Sequence, residues 1–107
     1  PWQNRAVHCF QNNNFHGALG NMIKANELRT NDWKITYNMV QLYLLLGNLP
    51  AAKEFYKKAQ GCKIDGRDKP ISDLMKRLGD WIAEIEAQAA KSGNQVNIDL
   101  KRFDMQR

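Results

Sequence analysis

The sequence predicts an all-α fold in which antiparallel helix pairs stack as a solenoid, two pairs followed by a C-terminal capping helix and an extended tail. Three observations predict it. The chain overlays on itself when shifted by about 34 residues, the spacing of a helix-pair repeat. Small side chains recur at Ala18, Ala25, Ala52 and Ala59, where they let two antiparallel helices approach closely. Between Leu74 and Ala89 apolar residues return at intervals of three and four, which makes one buried helix face.

The repeat comes first. The shift sets Phe15, His16, Gly17 and Ala18 against Leu49, Pro50, Ala51 and Ala52, and lays Met22 on Tyr56, Ala25 on Ala59 and Phe10 on Leu44. Leu19 on Lys53 is a mismatch. The helix pairs then occupy about 1–30 and 32–64 of the sequence. Trp2, Met22, Met39, Tyr43 and Tyr56 supply the bulk that fills gaps between neighbouring pairs, since each pair has an apolar face that only a neighbour can cover. Asn48 before Leu49 and Pro50 reads as a helix start, with proline in the first turn where its missing N–H does no harm. Gly20 in mid-helix costs about 1 kcal/mol against alanine, and marks either close helix packing or a weak helix.

The repeat pattern ends after Ala59, because Gly61, Gly66 and Pro70 break the helix and make a loop. A further, longer helix over 71–91 follows, with Ser72 as its cap and Leu74, Leu78, Trp81, Ile82, Ile85 and Ala89 on one face. Lys76, Asp80, Glu84, Gln88 and Lys91 lie opposite, so the helix suits the end of a stack, covering the last pair and meeting water. Ser92, Gly93 and Asn94 stop it. In the tail, 92–107, Val96, Ile98 and Leu100 alternate with polar residues at a period of two. It is either a solvated end or an extended segment docked on a helical surface.

The second copy runs from Trp33 through Tyr43, Gly47, Ala52 and Tyr56 to Ala59, and at these positions it resembles the tetratricopeptide repeat (TPR) family. Tyr43 matches the aromatic late in the first helix, Gly47 the turn, Ala52 and Ala59 the two small residues, and Tyr56 the second aromatic. The first copy matches through Trp2, Ala6, Ala18 and Ala25, with Asn13 in place of the turn glycine; asparagine tolerates the left-handed conformation. The resemblance implies a right-handed solenoid and a concave groove lined by the first helix of each pair. Its groove positions carry over to Gln3, Asn4, Val7, Phe10 and Gln11 in the first repeat, and to Lys34, Tyr37, Asn38, Gln41 and Leu45 in the second. Asn38 coincides with the asparagine that chaperone-binding members use to grip a peptide. Gln3 and Val7 stand where that clamp has lysine and asparagine, so capture of a terminal carboxylate is not expected. Asn38 is therefore either a gripping residue or an asparagine suited to a solvated helix face.

Composition bounds the rest. At 107 residues, 43% apolar and 25% charged, the chain fits one small domain, and no apolar run approaches the roughly 20 residues of a membrane span. Cys9 and Cys62 form no CxxC pair, which points to a reduced, intracellular and cytoplasmic setting. The net charge of +5 falls wholly in residues 1–64, favouring an acidic partner. No nucleotide, nucleophile-elbow or metal-binding motif is present, and His8 beside Cys9 points about 100° away from it on a helix. His16 has no ligand set around it. No catalytic residue, metal or cofactor is expected.

The sequence thus leads to a protein-interaction module, a scaffold segment or complex subunit holding a protein or peptide, with no membrane partner. Pro1 in place of Met leads to an expectation of further repeats, or self-association, before it. The alternative is an RNA-binding repeat, because Ile35, Thr36, Tyr37 and Asn38 look like the opening of a pentatricopeptide repeat. The period and the modest charge excess argue against nucleic acid. A narrower likeness joins Ala25 to Leu28 and Asp32 to Asn38 with repeat junctions in subunits of ciliary trafficking complexes.

Overall fold

The computed structural model describes residues 2–12, 14–29, 32–61 and 69–92, and these are all-helical. Five helices follow one another: α1 (Trp2–Gln11), α2 (Phe15–Leu28), α3 (Trp33–Leu45), α4 (Leu49–Gly61) and α5 (Lys69–Ser92). Each packs on the next in the chain. The tail read as 92–107 lies, beyond Ser92, outside the described residues, as do Asn13, Cys62 and Gly66.

The turns show why the chain reverses where it does. Gly47 has φ +81, and its N–H donates to the Leu44 carbonyl at 3.2 Å while the Asn48 N–H donates to the Tyr43 carbonyl at 2.9 Å. That pair of bonds is the glycine-terminated helix end, in which the left-handed residue returns two donors to the last turn. Asn48 then accepts from the Ala51 N–H at 3.3 Å and starts α4. One repeat earlier the same turn recurs: the Asn14 N–H donates to the Cys9 carbonyl at 2.8 Å, and the Asn14 side chain accepts from the Gly17 N–H at 3.1 Å. Asp32 caps α3 by accepting from the Lys34 N–H at 3.0 Å.

Packing follows the small residues. Ala18, Ala52 and Ala59 are fully buried and Ala25 nearly so, which puts each where two helices cross. Gly20, by contrast, faces open space, so close packing is not its reason. Among the described residues two apolar clusters form. One gathers Ala6, Ala18, Met22, Ala25, Ile35, Met39 and Leu42; the other gathers Tyr37, Val40, Leu44, Ala52 and Ala59 with Met75, Leu78, Trp81, Ile82 and Ile85. α3 feeds both, and every residue from Ile35 to Leu42 is buried. A helix enclosed on all sides is the interior element of its fold.

α5 departs from the expected bounds at its start. It begins at Lys69, so Pro70 lies in its first turn rather than in a loop, and Ser72 is an exposed residue inside the helix rather than its cap. Proline fits there because the first turn has no intrahelical use for its N–H. Leu78, Trp81, Ile82 and Ile85 are buried as the spacing predicts, with Leu74 and Ala89 half-buried; Met75 joins them unforeseen. The expected outer face of Lys76, Asp80, Glu84, Gln88 and Lys91 is exposed.

Candidate partner-binding surface

Among the described residues, those expected to line a groove are not brought together as an open surface. On α1, Gln11 is exposed, and the side chains of Gln3, Asn4, Val7 and Phe10 lie outside the described residues. On α3, Tyr37, Asn38 and Gln41 are 5%, 0% and 1% exposed. This corrects the expectation that they face a partner. The physical reason is that α3 has two buried sides. Tyr37 turns into the cluster that α5 completes, and Asn38 lies against α2, its Nδ2 donating to the Met22 Sδ at 3.9 Å. Thr36, also buried, returns its hydroxyl to the Trp33 carbonyl at 3.1 Å, the local bond that lets a β-branched polar residue sit inside a helix core. Lys34 and Leu45 alone of the five are only half-buried, and they stand at opposite ends of α3, about 16 Å apart along its axis.

The aromatic and charged side chains instead mark the outer side of α4 and its seam with α5. Tyr43 stacks on Phe55 with ring centres 5.4 Å apart, and the Lys58 ammonium lies 4.5 Å from the Phe55 centroid. Lys58 also pairs with Glu54 at 3.8 Å, and Lys53 forms an ion pair with Glu86 across to α5. Burial raises the Tyr43 hydroxyl above its ordinary pKa, with the Glu54 carboxylate adding to the effect. Tyr56 behaves alike, raised by burial and then by Asp80; its hydroxyl donates to the Met75 carbonyl at 2.8 Å. Sequence reasoning placed Tyr56 in a gap and missed its partner, whose only signal was Gly79 in the middle of an otherwise well-formed helix.

His8 and Cys9 point apart. His8 is exposed and its Nε2 lies 3.2 Å from Asn12 Nδ2, while Cys9 is half-buried against the first cluster and accepts from Asn21 Nδ2 at 3.6 Å. His16 is exposed on α2. Among the described residues no three His, Cys, Asp or Glu side chains gather to hold a metal, and no helix is long and apolar enough to cross a membrane. Comparison of the chain with known protein families, with curated proteins and with solved structures finds no match.

Proposed function

We propose that this chain is a protein-interaction scaffold of tetratricopeptide-like helix pairs, stacked as a solenoid and closed at one end by α5. One observation carries the reading: equivalent positions of the two hairpins do equivalent work. Asn14 and Asn48 cap α2 and α4 with the same side-chain bond, Ala18 and Ala52 are both fully buried, and Ala25 and Ala59 are the second small residues of each crossing. A chain that repeats a buried unit makes an extended surface, and extended surfaces of this kind serve partner binding.

The partner is an acidic protein segment, met by the exposed Lys53, Lys57 and Lys58 of α4 and by Lys34. Burial of Ile35, Thr36, Tyr37 and Asn38 weighs against base-by-base reading of RNA, which needs those side chains free to reach base edges. Fluorescence anisotropy with acidic peptides and with single-stranded RNA tests the choice. Saturable peptide binding that weakens on charge reversal at Lys34 or Lys57 supports it. Tight RNA binding with a steep salt slope, and no peptide binding, overturns it.

A further inference from the structure

Four residues of α3 fall on one stripe along its length. Lys34, Asn38, Gln41 and Leu45 follow one another at intervals of four, three and four, so they share a side of the helix. Ile35, Met39 and Leu42 turn to the first apolar cluster and Tyr37, Val40 and Leu44 to the second, while the stripe runs between them and belongs to neither. Its ends are half-buried, yet its middle is closed: Asn38 and Gln41 are 0% and 1% exposed. Side-chain amides enclosed this fully need hydrogen-bonding groups around them, and both residues are engaged. The Met22 Sδ, 3.9 Å from Asn38 Nδ2, is a weak acceptor and meets only one of the groups that an amide side chain carries.

α5 supplies a second wall. Glu86, which pairs with Lys53 of α4, flanks one side of its buried face. Trp81, Glu84 and Gln88, at intervals of three and four, flank the other, which is turned from Lys53 toward the α3 side of the seam. Tyr37, Trp81, Glu84 and Gln88 are, like Asn38 and Gln41, engaged in polar, ionic or ring contacts. Together these residues outline a trough between α3 and α5, with two amides on its floor and a carboxylate on its rim.

We propose that the chain fills this trough itself, with the segment that follows α5 laid in extended form along α3 and its Val96, Ile98 and Leu100 side against the helices. Position selects this occupant first. α5 runs antiparallel to α4, since Lys53 meets Glu86 while Tyr56 meets Met75, and α3 runs antiparallel to α4 through the Gly47 turn. α5 therefore ends beside the Leu45 end of the stripe. Length agrees: the stripe is about 16 Å long, and the five residues Val96 to Leu100 span about that distance when extended. Chemistry agrees as well. An extended backbone presents N–H and C=O groups that need partners, and each amide side chain offers both donors and an acceptor. Lys101 and Arg102 then follow as cations for the Glu84 carboxylate. The inference goes beyond the scaffold reading and stands without it; a groove filled in this way leaves the exposed lysines of α4 as the surface open to a partner.

The test uses the full chain with Cys9→Ala, Cys62→Ala and a nitroxide attached at Asn97→Cys, on the polar side of the segment where it leaves the apolar side intact. Paramagnetic broadening should be strongest at Gln41 and Leu45 and weakest at the far end of α2, around exposed Leu28. Broadening that is even along the chain, or centred on α2, overturns the inference. So does broadening that passes only between chains when spin-labelled and isotope-labelled copies are mixed, which would make the occupant a second copy. A second measurement adds a peptide of residues 94–107 to the full chain carrying Val96→Asp, Ile98→Asp and Leu100→Asp. The apparent affinity of a site that is mostly closed falls by the fraction open, so the peptide should bind this variant at least about tenfold more tightly than the wild-type chain. Equal affinity for both, or binding to neither, overturns the inference; the nitroxide measurement needs no apolar residue of the segment changed, so misfolding of the triple variant cannot stand in for its answer.

Discussion

The Tyr56 hydroxyl reaches the Met75 carbonyl, 2.8 Å away, by passing over the bare Cα of Gly79. A helix carbonyl has two lone pairs, and the second one is free for such a donor. The glycine is what makes the approach possible, and its mid-helix cost is offset by the contact it permits. Gly79→Ala should therefore destabilise the chain by about 1 to 3 kcal/mol, although alanine is the better helix former. Urea denaturation measures it, and a stabilised variant would mean that the ring does not stand over the glycine.

Tyr56→Phe keeps the ring and removes the donor. The expected loss is about 0.5 to 1.5 kcal/mol, the net worth of one hydrogen bond, with Gly79 still in contact with the ring. A loss as large as that of Gly79→Ala would show that the hydroxyl, and not the close approach, is what holds the seam.

Alkaline pH should act on the same seam. Tyr43 and Tyr56 have pKa values raised in the folded chain above their ordinary 10.0, chiefly by burial. A raised pKa means that the folded state holds its protons longer than the unfolded state does. The stabilisation is complete below pH 10.0 and is lost as pH climbs from there through the raised values. Denaturation midpoints measured across that window should fall, and fall less steeply in Tyr56→Phe.

At the helix crossing of the second hairpin, Ala52 is fully buried. Ala52→Leu should overpack it at a cost of about 1 to 3 kcal/mol. An unchanged melting temperature would place the crossing elsewhere.

The two asparagine caps offer a matched pair. Asn14→Ala and Asn48→Ala each remove one side-chain acceptor from a helix start, at about 0.5 to 2 kcal/mol. They lie in different hairpins, so the double variant should lose the sum of the two. Thermal denaturation of the single and double variants checks both statements.

Much of the helical layout was legible in the sequence because it is written in residues with one physical use. Gly47 can turn left-handed, Asn48 can cap, and alanines can sit at crossings; each does so. The candidate groove was not legible, because reading a helix by period assigns it one buried side. α3 has two, and polar Asn38 and Gln41 on its supposed outer side gave no sign that they would be enclosed. One clue was present: an apolar α5 face must cover something, and the second hairpin's α3 and α4 were the nearest surfaces it could cover. Met75 was legible and passed over: it stands three before Leu78 and seven before Ile82, on the spacing of the buried face. The Gly79 contact joins two residues distant in sequence, and the mid-helix glycine, its one local sign, does not say what it meets.

The central place of α3 also decides where the chain can be divided. By its sequence period the repeat begins at α3, and a fragment boundary would fall just before Trp33. By its packing α3 belongs also to what comes before, because Ile35, Met39 and Leu42 complete the core of α1 and α2, while Tyr37, Val40 and Leu44 complete the other. A cut ahead of Trp33 would leave Met22 and Ala25 facing water and strip the α3 wall from the first core, while the second core keeps all its residues. The unit read from the sequence period and the unit of packing are thus out of phase by one helix. Insertion or duplication of a hairpin will succeed where the join keeps α2 and α3 together, so that every new copy arrives with the helix that closes its predecessor.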